Sequence, residues 1–146
     1  MNIHALLLLG LRLTGVGQLL IALVYFQLRR IVAWDADVAH LRPHNRCIAQ
    51  TYSRYIQVIN TVFGLMCLFQ PQELLAKTPL AIDLTLLIGA YWLGRLLLGL
   101  FYYDLREITA LRRLYHYLAW AFNGLFVAQV TALAGAVAYN LNWITP

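Results

Sequence analysis

The chain has 146 residues, 62% of them hydrophobic and 12% charged, with eleven basic side chains against six acidic ones for a formal net charge of +5. A soluble domain of ordinary composition carries about 25% charged residues, so a soluble globular protein is excluded and one small integral membrane domain is expected. The basic residues, ten arginines and Lys77, cluster mainly in two short segments, which is a signature of membrane topology and not of a nucleic-acid partner.

Apolar stretches long enough to cross a bilayer occupy residues 3–26, 47–69, 80–103 and 114–141. The expected fold is all-α, a four-transmembrane-helix bundle forming a single membrane domain. The first stretch has no basic leader, carries Arg12 in its apolar run and lacks a small-x-small cleavage pattern, so it reads as a retained helix and not as a signal peptide. Arg29, Arg30, Arg42 and Arg46 follow the first span and Arg106, Arg112 and Arg113 the third, whereas only Lys77 follows the second. The positive-inside rule then places loops 1 and 3 in the cytoplasm and both termini outside, as in a multi-pass protein of the cell (inner) membrane. Tyr25, Trp34, Phe101, Tyr102, Tyr103, Tyr115 and Tyr117 mark the inner boundary, and Phe69 and Trp143 the outer.

In loop 1, Ile31, Trp34, Val38 and Leu41 recur at helical spacing opposite Asp37, His40 and Arg42, which predicts a short amphipathic helix on the inner leaflet. Pro43 is expected to stop it, with His44, Asn45 and Arg46 leading into the second span.

Polar residues within the spans indicate where a site would lie. Arg46, Gln50, Ser53, Gln57, Asn60 and Gly64 follow one another at steps of four and three and so share one helix face, widened by Arg54 and Thr61. Hydrocarbon cannot satisfy such a stripe, so it should face other helices or a wet cavity. Arg54 and Arg95 each fall about 10 to 12 Å below the inner boundary. With Gln50, Trp92, His116, Trp120 and Asn123 they make the candidate lining of a basic pocket for a phosphate, a carboxylate or a lipid headgroup. No carboxylate in the inner half of any span is placed to pair with these guanidinium groups, so a bound anion or backbone carbonyls would have to balance them. Arg12 and Asp83 are separated in depth by about 8 to 9 Å and are expected to form a structural ion pair. Small-residue faces at Gly10, Thr14 and Gly17, and at Ala128, Ala132 and Gly135, permit close packing within one chain or between two.

Familiar catalytic patterns do not occur in the sequence. There is no G-x-S-x-G elbow, no H-E-x-x-H, no phosphate loop and no intramembrane carboxylate pair. His4 falls at the outer end, and His40, His44 and His116 at the inner surface, which disfavours haem ligation across the bilayer. His40 and His44 have Pro43 between them and no third ligand nearby, so neither a metal nor any other cofactor is expected. Cys47 and Cys67 lie on one helix about 30 Å apart and cannot pair.

The segments Pro43-His44-Asn45-Arg46 and Trp92-Leu93-Gly94-Arg95, the latter preceded by Tyr91 and followed by Phe101-Tyr102-Tyr103-Asp104, resemble a group of small bacterial four-helix membrane proteins without an assigned activity. The resemblance implies an inner-membrane protein with Asn45, Arg46, Trp92 and Arg95 as shared positions. It implies no reaction. The expected function is therefore that of a non-catalytic accessory subunit or a lipid- or anion-binding helical module. Its expected partners are the bilayer, anionic phospholipid, and a larger membrane complex or a second copy. The competing class is a small oligomeric anion transporter or channel whose path is lined by the stripe from Arg46 to Gly64.

Overall fold

The computed structural model describes residues 2–31, 33–102 and 112–144, with the side chains of residues 31, 112–116, 118 and 119 outside that description. The described chain is all-helical: α1 (Ile3–Ile31), α2 (Trp34–Ala39), α3 (Pro43–Phe69), a 3-10 turn (Glu73–Leu75), α4 (Pro79–Phe101) and α5 (Arg112–Asn140). Three segments are long and apolar enough to cross a membrane, Ile3–Arg30, Pro79–Phe101 and Trp120–Asn140. α3 has the length, but Arg46, Gln50, Ser53, Arg54, Gln57 and Asn60 dilute its apolar character.

Leu6, Leu9, Leu13, Val16, Leu20 and Leu23 on α1, and Leu80, Leu86, Leu87, Leu93 and Leu97 on α4, are exposed. Contiguous apolar surface on that scale belongs against lipid and not against water. The protein is a membrane protein.

α1 is the central element. It packs along α3 on one side and α5 on the other, and α5 packs along α4. Small residues set the spacing. A Cβ on Gly15 would lie 2.7 Å from the Gly64 carbonyl oxygen and from the Leu68 nitrogen, so α1 and α3 touch backbone to backbone there. On the other side of α1, a Cβ on Gly10 would lie 3.7 Å from Ala132 Cβ, and one on Gly135 would lie 3.1 Å from Leu7. Two of the small faces read from the sequence therefore meet each other inside one chain. Leu11, Ile88, Trp92, Leu133 and Ala136 fill the core.

Pro43 behaves differently from expectation: it opens α3 as its first residue, so His44, Asn45 and Arg46 are helical. Proline fits there because the first amide of a helix has no intrahelical partner to lose. α2 is shorter than the predicted amphipathic helix and buries Val38. It is held by an ion pair from Arg29 to Asp35 and by Arg46, which donates to the Ala39 carbonyl at its end.

The end of the bundle that carries the 3-10 turn is fastened. Asn140 Oδ1 accepts from the Lys77 backbone amide at 3.1 Å, and Asn140 Nδ2 donates to the Leu74 carbonyl at 2.8 Å. Lys77 Nζ donates to Asn142 Oδ1 at 2.7 Å and lies 4.4 Å from the Tyr139 ring centroid.

Candidate functional site

The polar stripe of α3 divides into two parts. Ser53, Asn60 and Gly64 are buried. Ser53 is hydrogen-bonded to the Tyr25 hydroxyl of α1, and a Cβ on Gly64 would lie 3.0 Å from Leu19 and 3.2 Å from Gln18 Cβ. Gln57 and Thr61 instead line a groove between α1 and α3, together with Leu19, Ala22, Leu23, Phe26, Val58 and Val62. The groove holds about 490 Å³ and its walls are almost wholly apolar. One helical turn beyond Val58 on the same face is Arg54, one turn beyond Gln57 is Ser53 with Gln50 a further turn on, and one turn beyond Phe26 is Arg30. The Tyr25–Ser53 bond puts Phe26 and Arg54 at about one level, so the Phe26 end of the apolar groove is flanked by exposed arginines.

Arg95 occupies a different setting. It is half-buried on α4, a helix that takes no part in the groove, and lies close enough to the Tyr91 phenol to act on it electrostatically. The Tyr91 hydroxyl donates to Asn60 Oδ1 at 2.6 Å. Trp92 is 0% exposed, with its ring 5.4 Å from Phe126. Asn123 is half-buried beside Gly99, where its Oδ1 would be 3.0 Å from an added Cβ. Trp120 is 75% exposed and Asn45 is exposed. The His116 side chain lies outside the described residues, as do Arg106, Tyr103 and the side chains of Arg112, Arg113 and Tyr115. Arg54 and Arg95 are thus placed on helices with different neighbours, while Trp92, Tyr91 and Arg95 stay together on α4.

The expected pairing of Arg12 with Asp83 is not made. Both side chains are exposed, and the ion pair found among the described residues joins Arg29 to Asp35. Similar depth does not make two helices neighbours: α1 packs on α3 and α5, whereas α4 packs on α5. Cys47 is exposed and Cys67 buried, both unpaired on α3. Among the described residues no group of three His, Cys, Asp or Glu side chains is placed to hold a metal ion.

Two buried amides were passed over in reading the sequence. Gln18 of α1 is 0% exposed and Gln129 of α5 is 1% exposed. A lone glutamine in an apolar run is the available signal, since an intramembrane amide needs a partner. Gln18 Nε2 faces the Cys67 sulfur at 3.9 Å, and its Oε1 has no partner in the protein.

The class this fold defines is a small all-helical membrane protein. No protein-family model matches the chain, and no curated protein or solved structure is significantly similar to it.

Proposed function

We propose that the chain is a four-span, multi-pass protein of the bacterial inner membrane, with both termini outside, that binds anionic phospholipid along the α1–α3 groove and catalyses no reaction. The observation that carries this reading is the groove itself. Leu19, Ala22, Leu23, Phe26, Val58 and Val62 offer an acyl chain a wall of matching polarity, and Arg54 and Arg30 stand where a headgroup phosphate would emerge. α3, the least apolar long helix, is accommodated as the fourth span because Ser53 and Gly64 face α1 and Asn60 meets Tyr91 of α4, not lipid. That burial also weighs against a conducting path along the stripe, since its middle is filled by Tyr25, Gln18 and Leu19.

The test is native mass spectrometry of the purified protein with phosphatidylglycerol or phosphatidylcholine, alongside liposome anion flux. Each arginine near an anionic surface contributes about 1 kcal/mol, so Arg54→Ala should weaken phosphatidylglycerol retention roughly fivefold. Equal retention of both lipids, or anion flux abolished by Arg54→Ala, would overturn the proposal.

A further inference from the structure

α2 touches both walls of the α1–α3 groove, and each of its ends is tied to an arginine that continues a groove face. On α1, Arg29 is three residues beyond the groove residue Phe26 and seven beyond Ala22, so it lies on the same side of the helix. Arg29 pairs with Asp35 in the first turn of α2. On α3, Arg46 precedes the groove residue Gln57 by eleven positions, about three helical turns. It donates to the carbonyl of Ala39, the last residue of α2. The short helix is thus fastened to α1 and to α3 at the Phe26 end of the groove, the end that Arg30 and Arg54 flank.

Little else holds it there. A helix of six residues is too short to be stable alone, and Val38 is its one buried residue. Ala33 leads into it at φ 51° and ψ 32°, a left-handed conformation that is unfavourable for a residue with a Cβ. The Asp35 side chain is 71% exposed, so its hold on Arg29 is electrostatic and owes nothing to packing. Among the described residues Arg29 has an acidic partner, whereas Arg30 and Arg54 have none. A phosphate diester offers a guanidinium charged oxygens much as a carboxylate does. A headgroup seated by Arg30 and Arg54 therefore meets a third arginine on the α1 side that is already engaged.

We infer that α2 is a strap latched across the end of the groove, and that Asp35 competes with a lipid phosphate for Arg29. The inference rests on the reading of the groove as a phospholipid site. When an anionic headgroup takes Arg29, Asp35 is displaced and α2 loses its tether to α1. Binding of anionic lipid and release of the strap are then one equilibrium. A zwitterionic headgroup carries its own ammonium beside the phosphate and competes less well.

Two measurements on the full chain in detergent test this: native mass spectrometry with phosphatidylglycerol or phosphatidylcholine, and hydrogen exchange over residues 34–41. Asp35→Asn frees Arg29, so phosphatidylglycerol retention should rise roughly fivefold, the contribution of one arginine near an anionic surface. Exchange over 34–41 should quicken in this variant without added lipid, and in the wild type on adding phosphatidylglycerol but not phosphatidylcholine. Arg29→Gln breaks the same latch while removing the arginine, so α2 should loosen with no gain in retention. If the wild type prefers phosphatidylglycerol yet Asp35→Asn leaves either retention or exchange unchanged, the strap is overturned and the groove reading stands. A gain from Asp35→Asn that persists in the Arg29→Gln background also overturns it, because the competition would not run through Arg29. Equal retention of both lipids by the wild type overturns the groove reading and the strap with it.

Discussion

The Tyr91 hydroxyl donates to Asn60 Oδ1 across the α3–α4 seam at 2.6 Å, and Phe63 packs edge-on against the same tyrosine ring at 5.6 Å. α3 and α4 otherwise share little contact, so this pair joins two helices whose main neighbours are elsewhere. Intramembrane hydrogen bonds contribute about 0.6 kcal/mol on average and at most about 1.7. A double-mutant cycle of Tyr91→Phe with Asn60→Leu, followed by unfolding in detergent, should give a coupling energy in that range. Additive single-variant losses would mean that the bond contributes nothing to holding the seam.

Close approach of α1 and α3 at Gly15 yields a second prediction. Gly15→Ala would push a methyl group to 2.7 Å from backbone atoms of Gly64 and Leu68, which cannot move like a side chain. Overpacking of this kind costs about 1 to 3 kcal/mol or more. Gly94→Ala is the control, since nothing lies within 4 Å of its added Cβ. It should be neutral, or stabilising by up to about 1 kcal/mol through helix propensity. Thermal denaturation in detergent should rank the two variants in that order.

Asn140 is 2% exposed and satisfies one amide and one carbonyl of the α3–α4 turn. Asn140→Ala leaves both unmade at a cost of about 1 to 3 kcal/mol. Hydrogen exchange should then quicken at the Lys77 amide before it quickens in the helices. Unchanged protection at Lys77 would show that the clasp is dispensable.

Arg54 and Arg95 should separate in function. Arg95 is on α4, outside the groove that Arg54 flanks. Arg95→Ala should retain phosphatidylglycerol as the wild type does, while Arg54→Ala loses it. Equal losses in the two variants would restore a single basic pocket containing both residues.

Topology is checked with one added cysteine. Cys67 is buried and silent, and Cys47 can be replaced by serine. Gln72→Cys, at an exposed position in the turn, should react with an impermeant maleimide from outside intact cells. Labelling only after permeabilisation would invert the assigned orientation.

Much of the helical layout was legible because apolar length is a strong signal, and within the stripe from Arg46 to Gly64 Ser53 and Gly64 are buried against α1 and Asn60 beside Tyr91 of α4. Lateral neighbours were not legible. Depth can be counted at a fixed rise per residue, yet it says nothing about which helix stands beside which, so Arg12 and Asp83 were paired across helices that do not pack together. Gln18 and Gln129 were missed for a related reason: each is one polar residue in an apolar segment, and only the packed helices show them buried, Gln18 beside Cys67 and Gln129 against Gly17. The role of Pro43 turned on local geometry that composition leaves open, because proline ends one helix as readily as it begins the next.

The fastening of the α3–α4 turn also bears on how the chain is made. Leu74 and Lys77 emerge from the ribosome long before Asn140 and Asn142, yet it is those late residues that satisfy the turn's carbonyl, amide and ammonium. Until α5 is complete, the turn lacks these partners and α4 lacks the helix it chiefly packs along. Closing this end of the bundle is thus reserved for α5, and a chain arrested within α5 would leave the turn open to proteases on its own side of the membrane.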